Sequence, residues 1–125
     1  VGIALDGGGD DLYAAHVAAA QGSAWDAAVG ILQDTQGHDR YRCGNLCQGS
    51  GSMNGLGAFL DKMGNDVYTA ESGQGHGGSS KYWGGRHAKN LGVFVDLQGD
   101  DQFRLRHRLT GQDELHSAIG LFLDR

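Results

Sequence analysis

The chain contains no proline, and only two cysteines, two methionines and two tryptophans in 125 residues. Without proline, neither a collagen-like triple helix nor a Pro-rich linker can be built. Two cysteines, Cys43 and Cys47, are too few for a disulfide framework or a four-thiolate zinc site. No apolar run approaches the roughly 20 residues that a membrane-crossing helix needs. The sequence opens at Val1 inside a repeat with no signal peptide, as a segment of a longer array does. Positive charge is scarce too: 10 Lys and Arg stand against 15 Asp and Glu, a net charge of −5. That balance disfavours general affinity for nucleic acid and insertion into an anionic membrane.

What the chain has in excess is glycine, 23 residues of it. The glycines are positional, because the chain aligns to itself. Gly2-Ile-Ala-Leu-Asp6, Gly30-Ile-Leu-Gln-Asp34, Gly57-Ala-Phe-Leu-Asp61, Gly92-Val-Phe-Val-Asp96 and Gly120-Leu-Phe-Leu-Asp124 are copies of one pattern, starting 28, 27, 35 and 28 residues apart. The first four are followed by a second block: Gly9-Asp-Asp11-Leu-Tyr13, Gly37-His-Asp39-Arg-Tyr41, Gly64-Asn-Asp66-Val-Tyr68 and Gly99-Asp-Asp101-Gln-Phe103. A weaker glycine column follows at Gly22, Gly49, Gly75 and Gly111.

Each unit thus has a short apolar run, an Asp/Gly turn and an aromatic, which fits a strand, a tight corner and a second strand. The stretch from Asp11 to Gln21 reads as a helix in isolation, but its aligned partner, Arg40 to Ser50, holds Cys-Gly-Asn-Leu-Cys-Gln-Gly and does not. Strand is therefore the expectation throughout. The predicted fold is an all-β, parallel β-solenoid of about four and a half coils of 27–28 residues, with a loop insertion in the third coil. Its units are 2–29, 30–56, 57–91, 92–119 and a partial 120–125, together one repeat domain over 1–125. Stacked coils put each column over its own copy about 4.8 Å away, so that Tyr13, Tyr41, Tyr68 and Phe103 form a ladder and the apolar positions form one core. The glycine columns are expected to supply corners with positive φ.

The G-x-D-x-[YF] block resembles the glycine/aspartate repeats of RTX-type calcium-binding β-rolls, with Gly64-Asn-Asp66-Val-Tyr68 as its nearest local match. The full template is similar to G-D-D-x-Y repeats of bacterial β-solenoid proteins of unknown function. The RTX likeness implies Ca²⁺ at the turn aspartates Asp11, Asp39, Asp66 and Asp101. From the residues themselves, each column Asp is first a turn cap that accepts backbone N–H bonds at a solvated corner, and a calcium row is the alternative. Cys43 aligns with Ala15 and Ala70, which makes buried free thiols the first reading and a local disulfide the second. The six histidines share no column and read as scattered surface residues.

Two segments depart from the template. The third unit inserts residues 76–90, carrying Lys81, Tyr82, Trp83, Arg86, His87 and Lys89, and the fourth replaces a small-residue stretch by Arg104-Leu-Arg106-His-Arg108. An aromatic pair flanked by cations suits a polysaccharide, an acidic polymer or a protein partner, against the plainer reading of a solvated insertion. Lys81, Tyr82, Trp83, Arg86, His87, Lys89, Arg104 and Arg106 are therefore the candidate ligand-binding residues. Function follows as a non-catalytic structural or adhesive repeat domain, extracellular or at the cell surface, with adjacent repeats or end-to-end copies as further partners. The alternative is a carbohydrate-active enzyme of the β-helix type, using Asp26, Glu71, Asp113 or Glu114 with Arg86 or Arg104 at the substrate.

Overall fold

The computed structural model describes residues 1–71, 77, 89–105 and 118–125. The described residues are all-β, without a helix, and stack as a parallel β-solenoid. One long side is a five-stranded sheet in the order β1 (Gly2–Leu5), β4 (Val29–Gln33), β7 (Leu56–Asp61), β9 (Asn90–Asp96) and β11 (Ala118–Leu123). The second holds β2 (Leu12–Ala15), β5 (Arg40–Cys43), β8 (Val67–Ala70) and β10 (Gln102–Leu105). A short third side pairs β3 (Ala24–Trp25) with β6 (Gly51–Ser52).

Register follows the sequence repeat. Gly2, Gly30, Gly57, Gly92 and Gly120 lie side by side, as do Tyr13, Tyr41, Tyr68 and Phe103. The Ala-rich stretch after Asp11 contributes the strand β2, so the repeat context overrides its helical propensity. Most of the insertion at 76–90 lies outside the described residues.

Period-two alternation decides what enters the core. In β7 the buried residues are Gly57, Phe59 and Asp61, while Leu56, Ala58 and Leu60 are only half-buried. Of the three apolar positions in Gly-φ-φ-φ-Asp, only the middle one is a core position, filled by Leu32, Phe59 and Phe94. Phe59 and Phe94 stack at 4.9 Å and meet the tyrosine ladder edge-on, with Tyr41–Phe59 at 4.9 Å and 88°. Tyr13, Tyr41 and Tyr68 stack face to face at 4.8 and 5.0 Å. Two aromatic ladders thus run side by side along the axis with their ring planes at right angles, a geometry that suits the ring quadrupoles.

The glycines serve two purposes. A Cβ at Gly57 would run into the Ser50 carbonyl oxygen, and one at Gly30 into that of Ser23, because the third side folds directly against the first. At Gly30 and Gly57 this column needs glycine for close approach, not for positive φ. The third column does need positive φ, and it runs through Gly22, Gly49 and Gly77 at +74°, +79° and +73°. Gly77 N–H donates to Gln48 O at 2.7 Å, as Gly49 N–H does to Gln21 O at 3.0 Å. Gly77 therefore takes the place that the sequence alignment assigns to Gly75.

Candidate functional site

The chemistry of this molecule is concentrated where the first two sides meet. The first Asp column ends the strands of one side and the tyrosine column lies on the next, seven residues later in each of the first three units. The Tyr13 hydroxyl lies 2.6 Å from Asp6 Oδ2 and 2.9 Å from Asp34 Oδ2. That of Tyr41 is 2.9 Å from both Asp34 Oδ2 and Asp61 Oδ2. Tyr68 lies 2.9 Å from Asp61 Oδ2 and 2.7 Å from Asp96 Oδ2. Carboxyl and phenol groups alternate through four coils. A phenol has one hydrogen to donate, so each hydroxyl satisfies both contacts only when one neighbouring carboxyl keeps its proton.

At three positions of this column the remaining oxygen makes an Asx turn: Asp6, Asp34 and Asp96 Oδ1 accept from the N–H two residues on, at 3.0, 3.2 and 3.2 Å. The second Asp column caps across coils. Asp39 Oδ1 accepts from Asp11 N–H at 2.6 Å, Asp66 Oδ1 from Asp39 N–H at 2.6 Å and Asp101 Oδ1 from Asp66 N–H at 2.8 Å. Turn capping is thus borne out, but not at a solvated corner. Asp34, Asp39, Asp61, Asp66 and Asp96 are all at most 1% exposed. The residue between Gly and Asp builds a third, outer ladder: Asp10 Oδ1 accepts from His38 N–H, His38 Nδ1 from Asn65 N–H and Asn65 Oδ1 from Asp100 N–H, at 2.9, 3.0 and 3.0 Å. His38 thus has a repeat-specific role, standing in the same column as Asp10 and Asn65.

Burial sets the protonation of the inner carboxyls. It pushes Asp39 up to about 6, Asp66 to about 7 and Asp96 to about 6. It raises Asp61 as well, against the opposing hydrogen bonds from Tyr41 and Tyr68. The phenols of Tyr13, Tyr41 and Tyr68 are driven far above their usual range by burial first and the neighbouring carboxylates second. In the first coil, the Tyr13 hydroxyl holds Asp6 below its ordinary value.

The two Asp columns converge. Asp39, Asp61 and Asp66 each offer an oxygen within 4.8 Å of the other two, and so do Asp66, Asp96 and Asp101. Asp39 Oδ2 and Asp101 Oδ2 have no hydrogen-bond partner among the described residues. Hard oxygen donors suit Ca²⁺ in kind, and three carboxylates supply part of the six to eight ligands it takes. Of the four turn aspartates singled out by sequence, Asp39, Asp66 and Asp101 fall in these groups and Asp11 does not. Asp61 and Asp96, from the other Asp column and outside the four residues that the RTX likeness singles out, are the additional members.

Cys43 and Cys47 form a disulfide with Cα atoms 6.3 Å apart, which corrects the expectation of free thiols. The alternation of β5 turns Cys43 inward, and the bend that follows, with Leu46 at φ +47°, carries Cys47 back beside it. Both lie with Ala70 in a small buried cluster, as their alignment with alanines indicates. Gln48 reaches across coils beside them, its Nε2 donating to the Tyr41 and Thr69 carbonyls at 3.3 and 3.4 Å.

Of the proposed ligand-binding residues, Lys81, Tyr82, Trp83, Arg86, His87 and Arg106 lie outside the described residues. Lys89 is exposed, and its N–H donates to Asn54 Oδ1 at 2.9 Å. Arg104 projects from β10, with its guanidinium donating to Gln102 Oε1 at 2.9 Å. Among the acids of the enzyme alternative, Asp26 follows β3 on the short side, Glu71 follows β8, and Asp113 and Glu114 lie outside the described residues. No protein-family model matches the chain, and neither a curated protein nor a solved structure is found to be similar to it.

Proposed function

We propose that this chain is a non-catalytic structural or adhesive repeat domain, extracellular or at the cell surface, whose lateral face binds a polymer or protein partner and whose inner carboxylates are stabilised by Ca²⁺. The observation that carries this reading is the inward turn of the regular carboxylates. Asp34, Asp39, Asp61, Asp66 and Asp96 serve the stack through buried hydrogen bonds and are closed to a substrate. A glycosidase needs two carboxyl groups facing one sugar across an open groove. The buried Cys43–Cys47 disulfide suits an oxidising compartment. The convergence of Asp39 with Asp61 and Asp66, and of Asp66 with Asp96 and Asp101, supports the calcium part of the reading.

The test is incubation with neutral and acidic polysaccharides, following new chain ends and retention of the protein on the polymer in parallel. Retention without cleavage is the expected result. Reproducible cleavage abolished by Asp26→Asn establishes the carbohydrate-active enzyme in its place.

A further inference from the structure

The outer face of the second side carries a charge pattern that the repeat does not require. Alternation in β5 buries Tyr41 and Cys43 and turns Arg40 and Arg42 outward. Register places Arg42 beside Thr69 and Thr69 beside Arg104, so Arg42 and Arg104 sit on one line parallel to the solenoid axis with a single strand between them. By strand geometry that line is roughly 10 Å long, and Arg40 lies about 6.7 Å from Arg42 along its own strand. Leu12, Val67 and Thr69 floor a shallow cleft of about 500 Å³ between the three guanidinium groups. Arg42 approaches Glu71 only to 3.9 Å, at a well-exposed pair. In a chain of net charge −5, three arginines collected on one flat sheet face are a local reversal of sign.

We infer that this face, centred on Arg40, Arg42 and Arg104, binds an acidic polysaccharide laid along the solenoid axis, its carboxylate or sulfate groups paired with the guanidinium forks. The inference rests on reading the chain as a lateral binding scaffold. Arginine suits the task because its planar fork meets an oxyanion with two parallel hydrogen bonds. A flat face with a small aliphatic floor fits an extended, regularly charged polymer better than a folded partner, which needs a larger apolar centre. Nucleic acid is disfavoured because no aromatic side chain projects from β2, β5 or β8 for a base to stack on.

The experiment measures equilibrium binding to hyaluronate and dextran sulfate, with unsubstituted dextran as the neutral counterpart and poly-glutamate and a single-stranded oligonucleotide as other polyanions. The native chain is expected to bind at least one acidic polysaccharide, to ignore dextran and to lose affinity as salt rises. The triple variant R40Q/R42Q/R104Q should weaken binding about tenfold, from three exposed charge pairs. R42K should fall between the two, and K62Q, which removes a cation from another surface, should bind as the native chain does. Thermal melting checks that each variant is folded; if the triple variant melts early, the single variants R40Q and R104Q, each expected to weaken binding about two- to threefold, carry the test. Absence of binding to both acidic polysaccharides, retention of affinity by the arginine variants, or tighter binding of poly-glutamate or oligonucleotide overturns the inference. Polymer cleavage sinks the scaffold reading instead, whatever the arginine variants do.

Discussion

The Tyr41 hydroxyl lies 2.9 Å from Asp34 Oδ2 in its own coil and 2.9 Å from Asp61 Oδ2 in the next, so one phenol joins two buried carboxyl groups across coils. Tyr41→Phe keeps the stacked ring and removes only this link. It should destabilise the fold by about 1–3 kcal/mol, the cost of leaving a buried polar partner unsatisfied. Urea denaturation at neutral pH measures it, and a loss under about 0.5 kcal/mol, the level of an ordinary surface change, contradicts the assignment. Phe103 at the same column position shows that the stack itself accepts phenylalanine, with its ring 4.9 Å from that of Tyr68.

Two glycines of one column should respond differently to the same change. Gly57→Ala drives a methyl group into the Ser50 carbonyl, whereas the Cβ of Gly2→Ala meets nothing within 4 Å. The first should cost upwards of about 1–3 kcal/mol, as overpacking does, and the second should stay within about 0.5 kcal/mol. Comparable melting temperatures for the two variants contradict the close packing of the third side on the first.

Much of the stack was legible in the sequence, because repeated spacing fixes register once coils are assumed: Gly30 beside Gly57 and Tyr41 beside Tyr68 follow directly from aligned units. The inward turn of the aspartates was legible too, since Gly57, Phe59 and Asp61 share one parity along β7 and a buried first residue implies a buried fifth. Reading Asp as a surface residue hid it. The seven-residue spacing from Asp34 to Tyr41 marked their pairing only in retrospect, because whether two residues on consecutive strands meet depends on how sharply the corner between them folds. The free-thiol expectation failed for a similar reason: alignment with alanines gives burial for Cys43 and Cys47, but not the turn that joins them. Arg40 and Arg42 carry no signal of their own in the sequence, because they sit inside a regular unit and not in a departure from the template.

Stability should fall as pH rises from about 4 to about 7. Asp39, Asp66 and Asp96 are raised to about 6, 7 and 6 in the fold, against an ordinary value of about 3.9 when unfolded. Between those limits the folded chain binds more protons than the unfolded one, so their contribution is complete below about 4 and lost as pH passes the folded values. Asp6, held low by Tyr13, acts in the opposite sense and loses its contribution on acidification below its unfolded value. In chelator, the melting temperature should be higher at pH 5 than at pH 8; the reverse order contradicts buried carboxyls that retain protons.

Calcium should have the complementary effect. If ions neutralise the groups around Asp39–Asp61–Asp66 and Asp66–Asp96–Asp101, they bind the ionised forms and compete with protons. Binding at a hundred times the dissociation constant adds about 2.7 kcal/mol per site. Millimolar Ca²⁺ should therefore raise the melting temperature by several degrees at pH 8 and by less at pH 5, and Asp66→Asn, which touches both groups, should abolish most of the rise. An unchanged melting temperature between chelator and calcium at pH 8 removes the metal from the account.

The most direct test of the stacked architecture is the set of proton–proton contacts made by the tyrosine rings in solution, read from a nuclear Overhauser spectrum of the 125-residue chain. Cross-peaks are expected from the Tyr41 ring to the rings of both Tyr13 and Tyr68, at separations of 4.8 and 5.0 Å between centroids, and to Phe59 edge-on at 4.9 Å. Tyr41 contacts confined to residues near it in sequence, or a Tyr41 ring that touches neither Tyr13 nor Tyr68, would contradict the parallel, in-register stack on which every other statement depends.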